Sequence, residues 1–215
     1  MSTRLHLSDH PTRDDLRVFL ERVQRVGYAD VRIVTRGGTL AVFGCTQAPA
    51  SLTDAVPVVL VSRGFGLGAA PEAELDATVS ARALLDRLAR MGPVGLDLEL
   101  PEQSVAAAWA GVLPPHGGWQ VRGEVDAASL VSVAEQGIAR IAESLPQEPG
   151  EAVVRRIRAE VWGATIAPQL PAAAAFAATA MGFLRDEKVA RFSSTLTWLR
   201  LSTSRGQVIV RRLLG

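Results

Sequence analysis

Cysteine occurs once in 215 residues, at Cys45, so no internal disulfide forms and no site that needs several thiolates is available. Lysine also occurs once, at Lys188, and every other basic side chain is arginine. Only three histidines are present, His6, His10 and His116, which leaves little material for metal ligation or histidine-based acid–base work. Neither sign of charge dominates. The formal net charge is +1, which rules out a strong global field for nucleic acid or anionic membrane. Nor is either half basic or acidic enough to announce a partner: 11 Lys+Arg stand against 13 Asp+Glu up to Gly118, and 12 stand against 9 beyond it. The first residues, MSTRLHLSDHP, hold no apolar core of a signal peptide, and the longest uncharged apolar run, 170–184, is too short to cross a bilayer comfortably. A reducing cytoplasm and no membrane partner are the expectation. The phosphate loop GxxxxGK[ST] and the nucleophile elbow GxSxG are both missing.

What the chain has in quantity is apolar surface. Hydrophobic residues make up 48% and mean hydropathy is +0.18, high for a chain with this little charge, so a folded protein is expected and disorder is not. The surplus further predicts a surface covered by a second copy of the chain, and a homodimer is therefore the expected partner.

The pattern along the chain alternates helix and strand signals. Leu16, Phe19, Leu20 and Val23 recur on one helical face within 12–27, with Thr12 and Asp15 read as a capping box and Gly27 as the stop. VRIVTRGGTLAVFG reads as two strands joined through Gly37 and Gly38, and AVPVVLV at 55–61 as a third. SARALLDRLARMGP reads as a helix capped by Ser80, and GLDLELP as a strand whose leucines face a core. A short helix is predicted over 104–112, then a half-buried strand, WQVRGEV, with the Trp119 ring turned inward.

From Asp126 onward three helices follow: one capped by Asp126, one over 150–163, and an alanine-rich one over 171–184 that is apolar nearly all round. LTWLRLSTSRGQVIVRR then reads as a β-hairpin. No internal repeat of fixed period is visible. The fold class that results is α+β: a largely antiparallel sheet with packed helices over 1–118, then a helical region over 119–215 closed by the hairpin. Three helices and a hairpin are the order of a winged helix. The third helix offers only Thr179 as a polar side chain, so it cannot read base edges, and nucleic acid is not expected as a partner. Phosphate contact would fall instead to Arg155, Arg156, Arg158 and Arg205, which otherwise read as a solvated basic face.

The one stretch with the chemistry of a ligand loop is LPPHGGWQ, 113–120. There Gly117 and Gly118 would permit close approach, His116 would exchange a proton or hydrogen-bond, and Trp119 would form an aromatic wall. The competing reading is a stiff corner, since two prolines cannot extend a helix and two glycines allow a sharp bend. GFGLG at 64–68 lacks the GxGxxG spacing and reads as a turn connection. His6 and His10 share no helical face, Cys45 has no histidine near it in sequence, and Glu72, Glu74 and Asp76 read as a solvated strand edge. No catalytic residue, metal site or cofactor is predicted.

RDDLRVFLERVQRV, LPPHGGWQ and TWLRLSTSRGQVIVRR together resemble an actinobacterial family of about this length whose members carry no assigned activity. The resemblance covers most of the chain and implies a cytoplasmic protein from a GC-rich bacterium, with no functional residues to carry over. The function read from the residues is a non-catalytic interaction or regulatory protein. Its alternatives are a small-ligand-binding protein or enzyme that uses the 116–119 loop, and a degenerate winged helix that touches DNA.

Overall fold

The structure is a computed structural model and describes residues 3–49, 56–167 and 170–211. The α+β class holds: helices and antiparallel strands contribute in similar measure. The chain divides into two compact units. The first is residues 1–46 with 62–113, and the second is 47–61 with 114–215.

In the first unit, β1 (Arg4–His6) precedes α1 (His10–Val26), and β2 (Asp30–Arg36) and β3 (Thr39–Gln47) follow it. After β4 (Val58–Gly66) come β5 (Asp76–Ser80), α2 (Ala81–Arg90) and β6 (Asp97–Glu99). The sheet order is β5-β2-β3-β4, with β1 and β6 forming a separate antiparallel pair. Period-two burial is clean in β2, where Val31, Ile33 and Thr35 are buried between less buried neighbours. Helices α1 and α2 pack side by side, and α1 fixes Phe19 edge-on to Phe65 at 5.8 Å between ring centres.

Several local expectations change. Asp9, rather than a Thr12–Asp15 box, caps α1: its carboxylate accepts from the Thr12 amide at 2.7 Å. An Asp side chain one residue before a helix that carries proline in its first turn meets the free Thr12 amide, three residues ahead of the Asp15 amide the box would have met. Gly64 and Gly66 lie inside β4 instead of in a turn after it. The helix expected over 104–112 contracts to a 3-10 turn, Ala108–Gly111, because the preceding segment is drawn along β5, with the Val105 amide donating to the Thr78 carbonyl at 2.9 Å. Of the strand expected over 55–61, Ala55 lies outside the described residues.

In the second unit, β7 (Gln120–Asp126) leads into α3 (Ala127–Ser144) and α4 (Glu151–Gly163). The short pair β8 (Thr165–Ala167) and β9 (Leu170–Pro171) precedes α5 (Ala172–Ala180). An antiparallel meander closes the unit: β10 (Val189–Ser194), β11 (Trp198–Thr203) and β12 (Gly206–Arg211). The sheet order here is β4-β12-β11-β10-β7. The expected hairpin is thus β11–β12, but it lies inside a sheet with β10 beside it, where a wing would stand free. Alanine content lets α5 sink into the unit: six of its nine residues are buried, and it packs on α3.

The two units share a structural motif in permuted order. In the first, the last residue of β5, Ser80, caps α2, and the amide of Ala81 donates to the carbonyl of Ala29, just before β2, at 2.9 Å. In the second, the last residue of β7, Asp126, caps α3, and the amide of Ala127 donates to the carbonyl of Lys188, just before β10, at 2.9 Å. Each time a strand runs straight into a helix and pairs with the first strand of a meander that follows another helix. The meander comes before this strand in the first unit and after it in the second.

Candidate functional site

Strand β7 forms one edge of its unit's sheet and departs furthest from the sequence reading. It was expected to be half-buried, yet six of its seven residues are exposed and Val121 keeps 65% of its surface in contact with solvent. A register shift opposite Phe192 and Ser193 inserts one extra residue, so that Gly123 faces Phe192 while Val121 faces Ser193. Arg122, the intervening residue, donates from Nε to Ser194 Oγ at 2.8 Å. A bulged edge that carries Arg122, Glu124 and Asp126 is a poor template for another strand, so the chemistry of this region lies on the sheet face.

Cross-strand partners point to the same face. One face of the β10–β11 pair holds Ala190, Phe192, Leu199 and Leu201, all buried. The opposite face is polar: Arg191 lies across from Ser202, and Ser193 lies across from Arg200. On this face the Arg200 guanidinium stacks on the Trp119 ring, 4.1 Å from its centre. The ring is half-buried rather than turned inward, and its Nε1 donates to the Pro115 carbonyl at 2.9 Å. Burial pushes the Arg200 guanidinium below its ordinary pKa, and the positive charge of Arg191 pushes in the same direction. Among the described residues no carboxylate pairs with either arginine. Arg200 Nε, Ser193 Oγ and Ser202 Oγ are each buried without a hydrogen-bond partner.

The residues singled out from sequence fall in several places. Trp119 belongs to this face. His116, Gly117 and Gly118 form the exposed corner before it, with Gly118 at φ 77°, a left-handed conformation that glycine accepts without strain. Arg155, Arg156 and Arg158 are exposed on α4, with Arg155 4.0 Å from Glu151. Arg205 is occupied at the β11–β12 turn, donating to the Arg185 carbonyl and to Asp186 Oδ2, each at 2.9 Å. Sequence reasoning passed over Arg191, Ser193, Arg200 and Ser202. The available signal was Arg200 itself, a charge set between Leu199 and Leu201.

Asp76, read as part of a solvated edge, binds Arg32 through both carboxylate oxygens at 2.7 Å, and Arg32 also reaches the Ala110 carbonyl. A cavity of about 430 Å3 lies against Ile33, Ala77, Val79 and Leu100, with Glu102 as its ionisable lining residue. Among the described residues no group of three or more His, Cys, Asp or Glu side chains is placed to hold a metal, and no helix is long and apolar enough to cross a membrane.

Comparison with known proteins gives two family matches and a fold. Residues 1–111 match the domain of unknown function DUF8010, and residues 114–215 match the domain of unknown function DUF8185. None of the curated proteins matches. Among solved structures the chain is similar to the DNA polymerase III subunit beta from Pseudomonas aeruginosa, with 16% identity and a TM-score of 0.56, covering 100% of this chain and 65% of that one. It is likewise similar to the Caulobacter crescentus beta sliding clamp, at 13% identity and TM-score 0.53, covering 100% of this chain and 66% of that one. A sliding clamp from Bartonella birtlesii bound to griselimycin gives 16% identity and TM-score 0.54, covering 99% and 65%. The chain therefore spans slightly less than two thirds of the length of these structures, and at such identities the likeness is one of fold.

Proposed function

For this chain, which belongs to the DUF8010 family, we propose a non-catalytic role in the cytoplasm as an interaction protein that self-associates. Its working surface is the outward face of β7, β10 and β11 around Trp119. The observation that carries this reading is the make-up of that face. Val121 at 65% and Val189 at 41% exposure flank a half-buried tryptophan and two arginines without a carboxylate partner. Aromatic and arginine side chains beside exposed aliphatic ones are the composition of an interface centre, and tryptophan and arginine carry most of the energy where such surfaces close. The fold adds support, since the solved structures it resembles are themselves described as subunits and sliding clamps.

Light scattering across a wide concentration range tests the proposal, with the wild type beside Val121→Asp. The expected result is a dimer mass for the wild type and a monomer mass for the variant at unchanged melting temperature, because Val121 contributes little to the interior. A wild type that stays monomeric at every concentration refutes self-association, and a variant that stays dimeric moves the interface to another surface.

A further inference from the structure

We propose that Arg191, Ser193, Arg200 and Ser202 form a binding site for a phosphate monoester on the outward face of β10 and β11. The geometry places all four on one side of two adjacent strands, in two neighbouring cross-strand pairs: Arg191 opposite Ser202, and Ser193 opposite Arg200. Paired residues of an antiparallel ladder bring their side chains about 5 Å apart. Two guanidinium groups and two hydroxyls therefore share neighbouring positions on one face of the two strands.

Three of the polar atoms are already desolvated and unsatisfied. Ser193 is only 1% exposed and its Oγ has no partner, and Arg200 Nε and Ser202 Oγ are in the same condition. A buried donor left unpaired is destabilising. Such a group is stable where something else supplies the acceptor. A guanidinium beside a second guanidinium with no carboxylate between them calls for an acceptor that carries negative charge.

Dianionic phosphate fits better than a carboxylate. Two uncompensated cations match a charge of about −2 at neutral pH, and three terminal oxygens suit donors arriving from both strands. The Arg200 guanidinium carbon sits over the Trp119 ring, 4.1 Å from its centre, so the cation is held in place before a ligand arrives. Glu124, opposite Arg191 in register, is the nearest acid by strand pairing and forms no ion pair with it among the described residues.

The inference deepens the reading of this face as the working surface, but its chemistry is tested separately. The probe is inorganic phosphate, titrated into the full chain at pH 7.5 while the Trp119 indole N–H and the Arg200 Nε–H are followed by nitrogen-15 NMR, with Trp119→Phe assigning the indole. Acetate and chloride at matched ionic strength are the controls. Saturable shifts of both signals with phosphate alone are expected. Affinity should fall about tenfold or more in Arg200→Gln and less in Arg191→Gln, as for loss of a charge-assisted hydrogen bond, and should rise in Glu124→Gln.

Binding should also weaken as pH falls below neutrality, where inorganic phosphate passes from dianion to monoanion. Circular dichroism of each variant confirms that it is folded, and Ser193→Ala provides a second, smaller perturbation. Equal shifts with acetate assign the site to carboxylates and overturn the proposal. Equal shifts with chloride, or none with phosphate, overturn it outright. Following the mass of the wild type by light scattering through the same phosphate titration separates the two readings. Phosphate binding by a protein that never dimerises leaves this inference standing and removes self-association, while dimerisation without phosphate binding does the reverse.

Discussion

At the scale of single residues, Gly137 on α3 lies close against a neighbouring helix. A Cβ built there would meet the Trp162 ring on α4 at 2.3 and 2.6 Å, and Trp162 is itself stacked on Phe176 of α5 at 4.6 Å between ring centres. Two effects oppose each other in Gly137→Ala. Alanine is favoured over glycine inside a helix by about 1 kcal/mol, whereas forcing a methyl group into a packed ring costs about 1–3 kcal/mol. Because Trp162 is held by Phe176 and cannot easily retreat, the steric cost wins. Gly137→Ala should lower the denaturant midpoint in chemical unfolding. The same substitution in a Trp162→Leu background should be neutral or stabilising, and a penalty unchanged in that background would show that the ring is not the obstacle. The N-terminal stripe of Leu16, Phe19, Leu20 and Val23 was legible residue by residue, since all four are buried. Gly137 was not, because nothing local says which helix comes to rest against it.

At the scale of elements, three of the five helices among the described residues begin on a side-chain cap: Asp9 for α1, Ser80 for α2 and Asp126 for α3. Hydrogen bonds from the Thr12 backbone and hydroxyl hold the Asp9 carboxyl below its ordinary range, and those from the Ser129 backbone and hydroxyl do the same for Asp126. Asp76 is lowered chiefly by its hydrogen bonds from Arg32. A carboxyl whose folded pKa is depressed stabilises the fold above its unfolded value, near 4, and that contribution is lost as pH falls through the folded value. Melting temperature should therefore drop between about pH 5 and pH 2. The double variant Asp9→Asn, Asp126→Asn should show a shallower drop, because asparagine caps without titrating. Parallel curves for the two proteins would mean that the caps do not carry the acid sensitivity.

Ser80 and Asp126 could be read as caps because each stands where a strand pattern gives way to a helical one. Asp9 could not, because Thr12 and Asp15 offered a competing box three residues on. The helix expected over 104–112 failed for a different reason. Of its stripe Val105, Trp109 and Val112, Trp109 is buried but Val105 is half-buried and Val112 exposed, and strand β5 offered the preceding backbone a partner that local periodicity does not reveal. The polar face of β10 and β11 was missed at the same scale. Alternation tells which residues share a face of one strand, and only register tells that Ser193 meets Arg200 and Arg191 meets Ser202.

At the scale of the whole molecule, the chain is one in which sequence order and spatial order part company. A strand-into-helix element paired with a meander occurs twice, but the meander comes first in one unit and last in the other. A search for a fixed period has nothing to align under that permutation. The same separation makes the second unit depend on a segment far from it in sequence. Residues 58–61 of β4 belong to that unit, Val59, Leu60 and Val61 are fully buried, and β4 lies next to β12, whose Val208, Ile209 and Val210 are also buried. A fragment of residues 114–215 would leave β12 as an open apolar edge, the arrangement most prone to edge-to-edge association. It should be recovered mainly in aggregates and bind a dye for exposed apolar surface. A permuted chain that places 47–61 after β12 through a flexible linker should be soluble, with cooperative unfolding and the native strand signature in circular dichroism. If the fragment alone unfolds cooperatively and stays in solution, the β4 segment is dispensable and the second unit is complete from Pro114 onward. If neither form folds, the second unit needs more than this strand to hold its sheet.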